Sequence, residues 1–162
     1  MRGSDFERLY REHAGPLLAF LTYRTGDSDL ADDLLADTFE RALRSRKRFN
    51  PSRASEKTWL YAIALNLLRD HGRRSSAGRR AAARTEGHTP VASEGGLEQV
   101  EQRDRVARAM DSLGSREREL LAMRYGADMA LREIATLMNQ STGTTAAQLY
   151  RALERMASAL TD

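Results

Sequence analysis

No cysteine occurs among the 162 residues, which excludes a disulfide scaffold, thiolate-held zinc and thiol sensing by the chain itself. The three histidines, His13, His71 and His88, stand too far apart in sequence to make a local metal site, and neither a metal nor another cofactor is expected. No stretch approaches the roughly 18 consecutive apolar residues of a membrane span. Residues 1–25 also lack the apolar core and small-residue cleavage site of a signal peptide. The expectation is a cytoplasmic protein without membrane insertion. Sustained strand-like alternation is missing too. Apolar residues recur at helical spacing instead, so the expected class is all-α.

Net charge is only +3, too little by itself to argue for nucleic acid, but the distribution is uneven. Residues 1–80 hold 16 basic and 11 acidic side chains, 81–104 hold 2 and 5, and 105–162 hold 8 and 7. Within the first part the signs separate. Asp27, Asp29, Asp32, Asp33, Asp37 and Glu40 precede Arg41, Arg44, Arg46, Lys47, Arg48 and Arg53, and a second basic run follows at Arg69, Arg73, Arg74, Arg79 and Arg80. Two readings fit: solvated helix faces, or an acidic surface for a basic protein and a basic surface for phosphates.

Phe6, Leu9, Tyr10 and His13 begin one apolar stripe, Gly15 and Pro16 are expected to kink or restart it, and Gly26 to end it. Asp27 and Ser28 suit an N-cap. The next helix carries Leu30, Leu34, Leu35, Thr38, Phe39, Ala42 and Leu43 on one side, with Asp29, Asp33 and Asp37 on another. Phe49-Asn50-Pro51-Ser52 reads as a turn. A third helix is expected over about 56–73, its core stripe Trp59, Leu60, Ile63, Ala64, Leu67 and Leu68, with Asn66 at the edge and Arg69 and Arg73 opposite.

From 75 to 96 the composition shifts to Ser, Ala, Gly and Arg, the signature of a flexible linker with a reach of roughly 25 Å. Two small domains result, 1–74 and 97–162. In the second, Gly114 is a stop and Ser115 a cap, Leu120 to Met123 lead up to Gly126, and Leu131, Ile134, Ala135 and Met138 line a short helix. The turn 139–143 opens a last helix with Leu149, Ala152, Leu153, Met156 and Leu160. Small Ala135 permits a close crossing, and Asn139 tolerates a left-handed turn, so this pair has the layout of a helix-turn-helix.

These residues resemble the bacterial sigma-70 factors, specifically the two-domain extracytoplasmic-function (ECF) group. The first domain is similar to sigma region 2 through Leu30-Ala31-Asp32-Asp33-Leu34, Thr38-Phe39, Phe49-Asn50-Pro51 and above all the run Thr58 to Asn66 with Asp70 and Arg73-Arg74. The second resembles region 4 through Leu113, Arg118-Glu119, Arg124-Tyr125, Glu133-Ile134-Ala135, Gly143-Thr144 and Leu149 to Ala152. The resemblance implies a promoter-specificity subunit of RNA polymerase, and not an enzyme. It places core-polymerase contacts, on the beta-prime clamp, at Asp33, Ala36 and Asp37, with the beta flap as a further polymerase contact. It places reading of the minus-ten promoter DNA at Phe49 and Asn66, with Arg69, Arg73 and Arg74 on phosphates. Trp59 and Tyr61 are expected as scaffold or edge residues. Reading of the minus-thirty-five element falls on Thr144, Ala147, Gln148, Tyr150 and Arg151, with Gln148 suited to adenine. The resemblance also implies an anti-sigma factor as a regulatory partner.

The chain departs from the family pattern at several of these positions. Ala36 replaces a usual Gln and Asp37 a usual Glu. Thr145, Ala146, Ala147 and Gln148 replace the usual Val-Lys-Ser-Arg, which predicts weaker, less salt-sensitive upstream reading. Two alternatives stay open: a sigma-like adaptor with weakened upstream reading, and a plain helix-turn-helix regulator. A magnesium enzyme built on Asp29, Asp32, Asp33 and Asp37 would need a second acidic helix facing the first, and no comparable density of carboxylates follows.

Overall fold

Gly26 and Asp27 make the first corner. Gly26 takes the left-handed conformation, φ 67°, and its N–H closes helix α1 (Gly3–Thr25) onto the Thr22 carbonyl. The Asp27 carboxylate then accepts the amides of Asp29 and Leu30 and opens α2 (Ser28–Ser45). These details come from a computed structural model that describes residues 2–81 and 96–161. A one-turn 3-10 segment, Arg46–Arg48, follows α2. In the turn after it the Asn50 side chain accepts the Ser52 amide and hydroxyl, and α3 (Glu56–Ala81) completes the first unit. The second unit holds α4 (Leu97–Asp111), α5 (Ser115–Leu121), α6 (Leu131–Leu137) and α7 (Thr142–Thr161). The two units divide as Met1–Pro90 and Val91–Asp162. The described residues contain no strand, and no helix among them is long and apolar enough to cross a membrane.

Three local expectations change. Pro16 does not restart α1 but sits inside one continuous helix. Gly15, Pro16 and Glu12 are all exposed, so the carbonyl that loses its amide partner lies on the wet side of the helix, where its loss costs least. Helix α3 runs past Arg73 to Ala81 and takes in the first residues assigned to the linker; the remainder, 82–95, lies outside the described residues. Gly114, and not Ser115, caps α5, its amide donating to the Glu117 carboxylate at 3.0 Å.

The core of the first unit is Leu9, Leu17, Phe20 and Leu21 of α1, Ala31, Leu34, Phe39 and Ala42 of α2, and Leu60, Tyr61, Ala64 and Leu65 of α3. Leu43, expected in the α2 stripe, is exposed. Arg8 of α1 ties down the first turn of α3 through a two-pronged pair with Glu56 at 2.8–3.1 Å.

Tyr61 is fully buried against Phe20, ring centroids 5.4 Å apart, and among the described residues its hydroxyl has no hydrogen-bond partner. Burial pushes the phenol up to about 12 from its ordinary 10. Because the folded state holds the proton more tightly than the unfolded one, this contribution is intact below pH 10 and is lost as pH climbs toward 12. Tyr61→Phe is expected to add about 1 kcal/mol at pH 7 and to remove that alkaline decline, read from urea melts at pH 7 and 11.

In the second unit Leu113, Leu120, Leu121, Met123, Met129, Ile134, Ala135, Leu149 and Ala152 pack together. Between α5 and α6 the chain widens into a π turn, Ala122–Gly126, closed by the Ala127 amide on the Ala122 carbonyl at 2.9 Å. Asp128 then takes φ 51°, and Arg124 donates to the Met129 carbonyl at 2.8 Å. Asn139 is left-handed, φ 53°, as the helix-turn-helix reading requires.

Candidate functional site

Helix α2 buries Ala31, Leu34 and Thr38 and turns Asp33, Ala36 and Asp37 outward; all three are exposed. Their three- and four-residue spacing puts them on one face. Asp27 caps the helix and Asp29 lies in its first turn, where the helix dipole accounts for a carboxylate. Asp33 and Asp37 lie beyond that turn, so the dipole gives them no structural task. Among the described residues no side chain bonds to either carboxylate, although Glu40 and Arg44 pair on the same helix. The expected acidic face is therefore present and open.

Helix α3 corrects the expected stripe. Its core face is Leu60, Tyr61, Ala64, Leu65, Leu67 and Leu68, while Trp59 and Ile63 are only half-buried. Asn66 is exposed. On a helical projection Trp59, Asn66 and Arg73 fall within about 40° of one another, Asn66 between the other two, so Asn66 occupies the middle of the outer face and not the edge of the core. The apolar character of Trp59 and Ile63 obscures this in the sequence. Phe49, in the loop before α3, is half-buried and packs its ring on Trp59 at 5.0 Å and 47°. Trp59 and Asn66 stand about 10 Å apart along the axis. The face continues through half-buried Arg69 to exposed Arg73 and Arg74, with Arg73 4.0 Å from Asp70. One helix side thus carries, in order, an aromatic pair, an amide and cations. Tyr61 belongs to the core, in keeping with a scaffold role.

In the second unit Ser141 caps α7, its Oγ accepting the Thr144 amide at 3.1 Å. Thr144, Ala147, Tyr150 and Arg151 are exposed, whereas Thr145 is fully buried and Gln148 is half-buried. Thr144, Ala147, Gln148 and Arg151 share a face, with Tyr150 on its flank. The Gln148 oxygen already accepts the Gln140 side-chain amide at 3.0 Å, a contact that the sequence does not announce because Gln140 lies in the turn. Between 142 and 151 the only basic residue is Arg151.

The fold also gathers Glu12, His13 and Glu56, whose ligand-type atoms lie within 4.8 Å of one another. His13 is distant in sequence from Glu56 and from the other histidines, so nothing in the spacing reveals this. Arg8 bonds both carboxylates, so the cluster already contains its balancing charge. Burial pushes the His13 pKa down against the pull of the two glutamates.

Residues 9–78 match the family described as Sigma-70 region 2, and residues 103–156 the family described as Sigma-70, region 4. The ECF RNA polymerase sigma factor BldN of Streptomyces coelicolor is 28% identical over 97% of this chain, which spans 61% of that protein's length. RNA polymerase sigma factor HrpL of Pseudomonas syringae is 31% identical over 84% of this chain and 76% of its own. RNA polymerase sigma factor CarQ of Myxococcus xanthus is 28% identical over 93% and 86%. Among solved structures, sigma factor RpoE in complex with the anti-sigma factor NepR from Bartonella quintana covers 98% of both chains at 20% identity and a TM-score of 0.82. At that identity the likeness concerns the fold.

Proposed function

Since this chain belongs to the ECF group of sigma-70 RNA polymerase sigma factors, we propose that it binds core RNA polymerase and directs promoter-specific initiation without catalysing chemistry itself. The acidic face of α2, with Asp33, Ala36 and Asp37, meets the beta-prime clamp. The outer face of α3 meets melted minus-ten DNA, and α7 the minus-thirty-five element. One observation carries this reading best: among the described residues, the side of α3 turned away from the core presents Asn66 between the Phe49–Trp59 pair and Arg73 with Arg74. An amide can both donate to and accept from a base edge. An aromatic surface offsets about 1 to 3 kcal/mol of the stacking a base loses when it leaves the helix, and guanidinium groups hold phosphates. A plain helix-turn-helix regulator leaves both first-unit faces without a task.

The relative RpoE is bound by an anti-sigma factor in its solved complex, and CnrH is solved with the cytosolic domain of CnrY. A regulator of the anti-sigma kind, set over the α2 carboxylates, would compete with the polymerase for this chain in the cytoplasm. Domain limits of 1–74 and 97–162 with a connecting segment suit either engagement.

Transcription from a promoter library by core polymerase plus the purified chain tests the proposal. Sequence-specific initiation supports it, core binding without initiation would leave an adaptor, and DNA binding without core would leave a regulator. The upstream contact is expected to be weak in salt dependence. With Arg151 the one basic residue in the first half of α7, log-log plots of holoenzyme affinity for an upstream-element duplex against salt should have a slope of roughly −1 to −2. A slope several units steeper would contradict the assignment.

A further inference from the structure

The polar chain behind α7 has a direction, and it begins at Arg116. This exposed residue in the first turn of α5 donates through Nη2 to Oε1 of Gln140 at 2.7 Å. A guanidinium has no acceptor, so Gln140 must turn its oxygen toward Arg116 and its nitrogen toward α7. There Nε2 donates to Thr145 Oγ1 at 2.9 Å and to Gln148 Oε1 at 3.0 Å. The Thr145 hydroxyl hydrogen is committed to the Ser141 carbonyl, also at 2.9 Å, which leaves Oγ1 as the acceptor that Gln140 needs. Gln148 therefore presents its oxygen inward. Its NH2 group is left for whatever meets the outer face of α7.

We propose that Gln140 is a positioning residue for upstream-element specificity: by holding the Gln148 oxygen, it makes α7 present a hydrogen-bond donor to the base edge it meets, selecting guanine over adenine or cytosine. This rests on the reading of α7 as the helix that enters the major groove. In that groove guanine shows two acceptors, N7 and O6; adenine sets one acceptor, N7, beside its N6 amino donor, thymine shows one acceptor, O4, and cytosine an N4 amino donor, so an outward NH2 group finds most acceptors on guanine. The bidentate reading of adenine expected for a free glutamine uses the amide oxygen as well as the nitrogen, and here that oxygen already holds Gln140. Thr144 and Ala147, which share the face, bring a short hydroxyl and a methyl, so Gln148 is the longest neutral polar group available there.

The experiment uses holoenzyme reconstituted from the full chain and core polymerase, with a duplex pool randomised only across the upstream stretch. Wild type is expected to enrich guanine at one position by about tenfold over adenine, and Gln148→Ala to flatten that position alone. In Gln140→Glu both side-chain oxygens accept. Arg116 keeps its partner, the Thr145 hydroxyl must turn its hydrogen from the Ser141 carbonyl to the new carboxylate, Gln148 must turn its NH2 inward, and enrichment at that position should switch toward adenine or cytosine. Arg116→Ala, a change at an exposed residue that leaves the core intact, should unfasten Gln140 and reduce the preference without a switch. A purely structural role would weaken binding to all duplexes while keeping the base order. Unchanged base order in Gln140→Glu, an undiminished preference in Arg116→Ala, or adenine enriched by wild type at the Gln148-dependent position overturns the inference while sparing the function. If wild-type holoenzyme enriches no upstream sequence at all, the assignment of α7 itself fails and the inference falls with it.

Discussion

Asp33→Arg combined with Asp37→Arg is expected to weaken binding to core polymerase by about a hundredfold or more, because placing like charges across a protein contact costs several kcal/mol. The same pair should leave the thermal melt of the chain almost unchanged. Both side chains are exposed, neither has a partner among the described residues, and Arg is a better intrinsic helix former than Asp. Competition against wild type for a limiting amount of core polymerase reads the first effect, and circular dichroism the second. Equal competition would show that the α2 carboxylates are ordinary solvated charges and would remove the polymerase from that face. Shortness at this face also sets the expected affinity. Ala36 offers no polar group, and Asp37 reaches one methylene less far than Glu, so a Gln at 36 with a Glu at 37 is the direction in which the contact would tighten.

Asn66→Asp is expected to reduce initiation from the cognate promoter by about ten- to a hundredfold, with core binding intact. The substitution keeps the size of the side chain but removes its donor, worth about 1 to 3 kcal/mol in base discrimination, and sets a negative charge beside the DNA. Since Asn66 is exposed and its neighbours on the face are the half-buried Trp59 and the cations, the fold has no reason to respond. Open-complex formation on a premelted template distinguishes base reading from strand separation. A loss that persists there belongs to recognition of the unpaired base, and full activity of Asn66→Asp on duplex promoter would take Asn66 out of the site.

Both predictions rest on elements of unequal legibility in the sequence. The corner at Gly26 and Asp27 was readable because its chemistry is local: only glycine enters the left-handed region without cost, and a short carboxylate reaches the next two or three amides. Asn139 followed the same logic. The outer face of α3 was harder. Trp59 and Ile63 are apolar, and apolar residues at helical spacing suggest a core; yet Leu65 and Tyr61 take the buried positions, rotating the face so that Asn66 stands at its centre. What decides such a case is the packing of α1 and α2 against α3, which no local pattern contains. The continuity of α1 through Pro16 is of the same kind, since it depends on which side of the helix faces water. The Arg116–Gln140–Gln148 chain joins residues from α5, a turn and α7, and its polar partners carry no periodic signal at all. The family resemblance supplies the candidate functional positions, while the orientation of the Gln148 amide comes only from the three-dimensional bonding order.

The wide turn at Ala122–Gly126 has a consequence for insertions and deletions. Its hydrogen bonds span five residues where an ordinary helix spans four, so it holds one residue more than an uninterrupted helix would. Removing a single amino acid between Leu121 and Ala127 would let regular coiling resume with little change of direction downstream, because the residue lost is the one the wide turn takes up. A second deletion has no such surplus to draw on: it would swing everything downstream by about 100°, and Leu131 and Ile134 would miss α7. The bend thus carries one residue of slack, and chain length becomes a steering parameter only once that slack is spent.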